Sequence, residues 1–129
     1  MAQAQSFVTN QNLAAPMPEL PADTQATKET MALYKNLKKL AAAGKTLFGH
    51  QDDLAYGVGW KYESGRSDIK SVTGEYPAIY GWELGNLEHD LSYNLDSVPF
   101  DAMKGFIKEA YGRGSVITIS WHMDNPVNN

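Results

Sequence analysis

Apolar and polar positions first settle into a regular period about twenty residues into the chain. Residues 6–22 carry Pro16, Pro18 and Pro21 with little periodicity, and prolines so spaced oppose a helix and favour an extended, solvated arm. Next, Thr30, Leu33, Tyr34, Leu37, Leu40 and Ala41 recur at steps of three and four. This predicts an amphipathic helix, capped by Asp23 or Thr24 and stopped by Gly44, whose stripe ordinary core packing explains. Residues 45–49 (Lys-Thr-Leu-Phe-Gly) read as a short buried strand that ends at His50 and points it outward. Residues 51–66 turn to Gly, Tyr, Trp and Asp, a long loop of the kind that carries function on a rigid scaffold.

Ser67 is placed to cap a short helix over 68–73, stopped by Gly74. A second strand spans Tyr76 to Leu84, and a polar loop follows over 85–96. Ser97 or Asp101 then caps a helix with Met103, Phe106, Ile107, Ala110 and Tyr111 on one face and Gly114 just beyond it. Ser115 to Trp121 is a β-branched strand, with His122 directly after it. Strands separated by helices require crossover connections and hence a parallel sheet covered on both faces, an α/β fold. Three strands cannot close a barrel. A (β/α)₈ barrel takes roughly 250 residues, so this chain of 129 has the length of about half a barrel or of a small open sheet. The domain reading is an arm over 1–22 and one α/β domain over 23–129.

Composition narrows the function classes. Hydrophobic residues make up 43% and charged residues 20%, with 3 Trp, 7 Tyr and 4 Phe, a globular balance rather than a disordered one. The net charge is −4, and Lys35, Lys38 and Lys39 are spaced like the solvated face of a helix, which argues against nucleic acid or anionic lipid as a partner. Without cysteine there are neither disulfides nor thiolate metal sites. No apolar run approaches the roughly 20 residues that span a bilayer. The opening Met-Ala-Gln-Ala-Gln lacks the charged and apolar regions of a signal peptide.

Candidate chemistry gathers after the strands. His50, Gln51, Asp52 and Asp53 follow the first; Trp82, Glu83, Glu88, His89 and Asp90 lie in and after the second; Trp121, His122, Asp124 and Asn125 follow the third. A single polar residue ends a strand because loops are wet, but three such strand ends converge on one cleft in a parallel α/β fold. Trp and Tyr faces pack against the C–H faces of sugars while Asp, Asn and His bind hydroxyls, so a neutral polyol suits the set. Trp60, Trp82 and Trp121 are each explicable as core, Trp82 most of all. The same His and Asp residues are ligand types for Zn²⁺ or Mn²⁺, yet there is no His-x-His and no His pair at i and i+4. A metal-dependent hydrolase would therefore need tertiary convergence. Gly57 and Gly59 lack the rest of a dinucleotide fingerprint.

Four segments in order, Leu-Phe-Gly-His-Gln-Asp-Asp (47–53), Tyr-Gly-Val-Gly-Trp (56–60), Gly-Glu-Tyr-Pro-Ala-Ile-Tyr-Gly-Trp-Glu-Leu (74–84) and Ile-Ser-Trp-His-Met-Asp-Asn-Pro (119–126), resemble the glycoside hydrolases of family 26, especially mannanases of gut Bacteroidetes. The resemblance covers residues 28–126. It implies the first three β/α units of a (β/α)₈ TIM barrel, retaining endo-hydrolysis of β-1,4-mannosidic bonds, β-mannan or a related β-glycan as ligand, no cofactor or metal, and a secreted, periplasmic or cell-surface location. Retention takes two carboxylates about 5 Å apart. In the family both glutamates follow later strands, so no catalytic residue is expected here, and Glu83 and Glu88 are not assigned that role. What the resemblance carries over is substrate binding by Trp121, His122 and Asn125, with His50 and Glu88 as weaker candidates for the same cleft. For His50 a structural hydrogen bond is an equal explanation. The resulting expectation is an enzyme piece, inactive alone, completed by a second chain or by homo-oligomerisation. The competing class is a non-catalytic carbohydrate-binding or scaffold domain.

Overall fold

The computed structural model describes residues 19–127. Most of the expected arm, residues 1–18, lies outside the described residues. The chain divides into two compact units, Met1–Thr46 and Leu47–Asn129.

The first unit holds helix α1 (Lys28–Ala42). Its cap is Thr27, whose hydroxyl accepts from Thr30 N at 3.2 Å, rather than Asp23 or Thr24. The Asp23 carboxylate instead accepts from Gln25 N at 2.8 Å, closing a local turn that competes with helix formation. Gly44, at φ +65°, follows the last turn as expected.

The second unit is a parallel three-stranded sheet with intervening helices. In chain order it contains β1 (Gly49–Gln51), the hairpin strands β2 (Tyr56–Gly57) and β3 (Trp60–Lys61), α2 (Asp68–Thr73), β4 (Ile79–Glu83), a 3-10 turn (Leu87–His89), α3 (Phe100–Gly112) and β5 (Val116–Ser120). The sheet order is β1-β4-β5, with Gly49 beside Ile79, Gln51 beside Gly81 and Glu83 beside Ser120. The alternation of strands and helices is as the sequence predicts, but β1 begins at Gly49 and contains His50. Its position follows from its partner. Pro77 has no N–H to give, so the ladder opens when Phe48 O accepts from Ala78 N (3.0 Å) and Ile79 N (3.2 Å). Ser67 caps α2 by accepting from Lys70 N at 3.0 Å, and Gly74 ends it at φ +84°, both as expected. The cap of α3 is Pro99, with Asp101 in the first turn, because Ser97 is already held in a turn, its N–H donating to Asn94 O at 2.9 Å.

Side chains of a strand alternate between faces, and residues paired across a parallel ladder share a face. Tyr80 and Trp82 therefore point to one side, where they are fully buried with Leu54, Ala55, Val98, Met103 and Ala110. Phe106 of α3 lies between the Trp82 ring (centroids 5.9 Å) and the Tyr62 ring (6.2 Å), nearly parallel to both. Ile79, Gly81 and Glu83 point to the other side, with Gln51 and Ser120 in register. The hairpin lies within residues 51–66, where composition predicts only a loop. Gly59, at φ +78°, closes its two-residue turn, and Asp68 pins it by accepting from Trp60 Nε1 (2.6 Å) and Val58 N (2.7 Å).

Candidate functional site

Polar groups collect where β4 and β5 end. Glu83, the last residue of β4, is only 3% exposed. Its Oε1 accepts from Gly85 N (2.7 Å) and His122 N (2.8 Å), and its Oε2 accepts from Ser120 Oγ (2.6 Å) and from His122 Nδ1. Burial by itself pushes this carboxyl up, but the bonds from Ser120, the backbone N–H groups of His122 and Gly85 and the His122 ring outweigh it and hold the pKa down at about 2. Gly85 is buried, and a side chain there would run into Leu95. Asn94, fully buried, donates from Nδ2 to Glu83 O (3.1 Å) and accepts at Oδ1 from Asp96 N (3.0 Å) and Val98 N (2.8 Å). The loop after β4 is thereby tied to the strand end.

Beside this buried carboxylate stands an exposed group. Trp121 is 45% exposed and donates its indole N–H to Glu88 Oε2 (3.0 Å). Glu88 Oε1 accepts from Asp124 N (3.0 Å), and Asp124 Oδ2 faces His89 Nε2 at 2.7 Å. The Trp121 bond is the largest influence lowering the Glu88 pKa. Glu88, His89 and Asp124 bring one donor atom each within 4.8 Å of one another, the one group of three metal-ligand types so gathered among the described residues. All three are exposed, and their donor atoms already engage one another or Trp121.

The structure thus brings Trp121, His122 and Glu88 to one rim. Asn125 follows them, its Oδ1 accepting from Val127 N at 2.9 Å to shape the turn at Pro126. His50 is elsewhere. Its register partner is Tyr80, so it lies on the helix-covered side, with Nδ1 3.0 Å from Oδ1 of fully buried Asp53. The expected outward turn fails because β1 runs through His50 and parity, not proximity to the strand end, decides its side. Gln51 takes the opposite face, lying across Gly81. Its neighbour Asp52 is fully buried, and burial, reinforced by the Asp96 carboxyl, pushes its pKa up to about 7. The sequence names Glu83 and Gln51 among the strand-end residues without a role, and gives no sign of Ser120 or Asn94. The signal for Glu83 was present, since a core Trp82 requires the next residue to face the other way.

Comparison with known proteins follows the same lines. The profile of glycosyl hydrolase family 26 matches residues 22–129. A mannan endo-1,4-beta-mannosidase of Bifidobacterium adolescentis is 32% identical over 108 residues, covering 81% of this chain and 10% of that protein. The solved structure of a GH26 beta-mannanase from Bacteroides ovatus superposes with a TM-score of 0.76 at 48% identity, covering 80% of this chain and 30% of the other. The chain therefore spans less than a third of either relative, and its parallel sheet with crossover helices is a part of their barrel architecture. With the profile match running over residues 22–129 and both relatives at 30% identity or more, the chain belongs to glycosyl hydrolase family 26.

Proposed function

We propose that these residues form the substrate-side rim of a retaining endo-β-1,4-mannanase, binding β-mannan or a related neutral β-glycan through Trp121, His122 and Glu88. The observation that carries the reading is the exposed Trp121 ring, fixed by its bond to Glu88, beside the His122 ring fixed by Glu83. An aromatic face next to hydrogen-bonding side chains, at the C-terminal ends of parallel strands, suits a sugar with many hydroxyls and no charge. The names of the two relatives support mannan as the polymer. Such a polymer is met outside the cytoplasm, which supports a secreted or cell-surface location. Among the described residues, no helix is long and apolar enough to cross a membrane.

Catalysis by Glu83 and Glu88 as a carboxylate pair is disfavoured. A general acid needs a raised pKa, and Glu83 is held at about 2 by four donors while Glu88 is also lowered. The acid and nucleophile are assigned to further strands of the barrel, supplied by a longer polypeptide or a second chain. Strands β1 and β5 are the edges of the described sheet, with backbone groups able to pair with such strands.

The test is calorimetric titration of mannotetraose together with a reducing-sugar assay on β-mannan. The chain alone is expected to bind without cutting, Trp121→Ala to weaken binding by roughly tenfold, and a chelator to change nothing. Cleavage by this chain alone, or binding indifferent to Trp121→Ala, would overturn the reading.

A further inference from the structure

A buried carboxylate with four donors stands behind an exposed histidine. Resting on the sugar-binding reading above, we infer that Glu83 is a positioning residue that holds the His122 imidazole as its Nδ1–H tautomer, presenting Nε2 to the ligand as a hydrogen-bond acceptor. A carboxylate only accepts, and a neutral imidazole carries one donor and one acceptor nitrogen. Since Nδ1 meets Glu83 Oε2, Nδ1 carries the proton and Nε2 the lone pair. The side chain of His122 is 75% exposed against 4% for Glu83, so the Nε2 edge is the one open to a ligand. A neutral acceptor there accepts a hydrogen bond from a sugar hydroxyl. It offers nothing to a carboxylate or phosphate, and neutral glycosyl units are selected over uronates.

The other contacts of Glu83 make the arrangement directional. Oε1 serves two backbone N–H groups, at Gly85 and His122, which cannot turn into acceptors. In Glu83→Gln the amide oxygen must therefore stay at that position, and the NH₂ group takes the place of Oε2. Ser120 Oγ can rotate to accept from it. His122 Nδ1 can accept only by giving up its proton, which moves the ring to the Nε2–H form and turns the presented edge from acceptor to donor.

Nitrogen-15 NMR of the ring nitrogens in the full chain, at a pH where the imidazole is neutral, reads this directly. His50 and His89 are assigned by single substitutions. The wild type is expected to show His122 protonated at Nδ1, and Glu83→Gln to show it protonated at Nε2, with mannotetraose binding weakened roughly tenfold, the worth of one hydrogen bond. An Nε2–H tautomer in the wild type overturns the proposal, as does an unchanged tautomer in Glu83→Gln or undiminished binding once the tautomer has switched. Should Glu83→Gln fail to fold, the wild-type spectrum alone decides. Failure of the wild-type chain to bind mannotetraose strikes at the sugar-binding reading, and the tautomer result still decides the role of Glu83.

Discussion

Replacing Glu83 by Ala removes one side chain and strands four donors, and the cost can be worked from where each donor sits. The Ser120 hydroxyl is on an exposed residue and the His122 ring is largely exposed, so both regain water at little cost. Gly85 N is buried and His122 N is partly buried. A buried N–H left without an acceptor costs about 1–3 kcal/mol, so the two together predict a loss of roughly 2–4 kcal/mol for Glu83→Ala. Glu83→Gln keeps an oxygen for both backbone groups and loses only a charge-assisted bond, a cost of about 1–2 kcal/mol. The pH dependence has a definite sign. The folded-state pKa of about 2 lies below the ordinary 4.5, so the stabilisation is fully present above pH 4.5 and is lost as pH falls through about 2. Equilibrium urea unfolding with linear extrapolation, repeated across that window, measures both quantities. Glu83→Ala should show its full deficit at neutral pH and converge on the wild type as pH falls toward 2. A neutral-pH deficit below about 0.5 kcal/mol, or one that does not change over the window, would refute the account of Glu83 as a satisfied structural carboxylate.

Two further predictions concern groups buried behind the site. Trp82 is fully buried against Phe106, but its Nε1 has no hydrogen-bond partner among the described residues. Trp82→Ala should therefore cost about 3–5 kcal/mol, whereas Trp82→Phe, which keeps a stacked ring and removes an orphaned donor, should cost under about 1.5 kcal/mol; equal losses in thermal unfolding would contradict this. Asp52 is fully buried with a pKa raised to about 7, so its ionisation destabilises the fold increasingly as pH rises from about 4 to 7. Asp52→Asn should be near neutral at pH 4 and raise stability by roughly 1–3 kcal/mol at pH 8. Asn also accepts the left-handed backbone found there, φ 51°. A gain that shrinks with rising pH would reverse the assignment.

Periodicity along the chain determined the order of elements and the class of fold. The Ser67 and Gly74 signals sit at the ends of α2 because capping is a matter of a few neighbouring atoms. The stripe of Met103, Phe106 and Ala110 meets the sheet because a helix with one apolar face has no other way to bury it. The resemblance likewise pointed to Trp121, His122 and Asn125 as one rim, with Glu88, which lies outside the four motifs, as a weaker candidate. What only the tertiary structure decided was the side of the sheet on which each group falls and what holds it there. The start of β1 depends on Pro77, just ahead of β4 and 29 residues along the chain from Phe48; that pairing turned His50 toward the helices and Gln51 away from them. Glu83 acquires its low pKa from Ser120 and His122, at and just beyond the end of a strand with which it pairs only after a helix has intervened. Register and long-range hydrogen bonding are properties of two segments brought together, and neither segment specifies them alone.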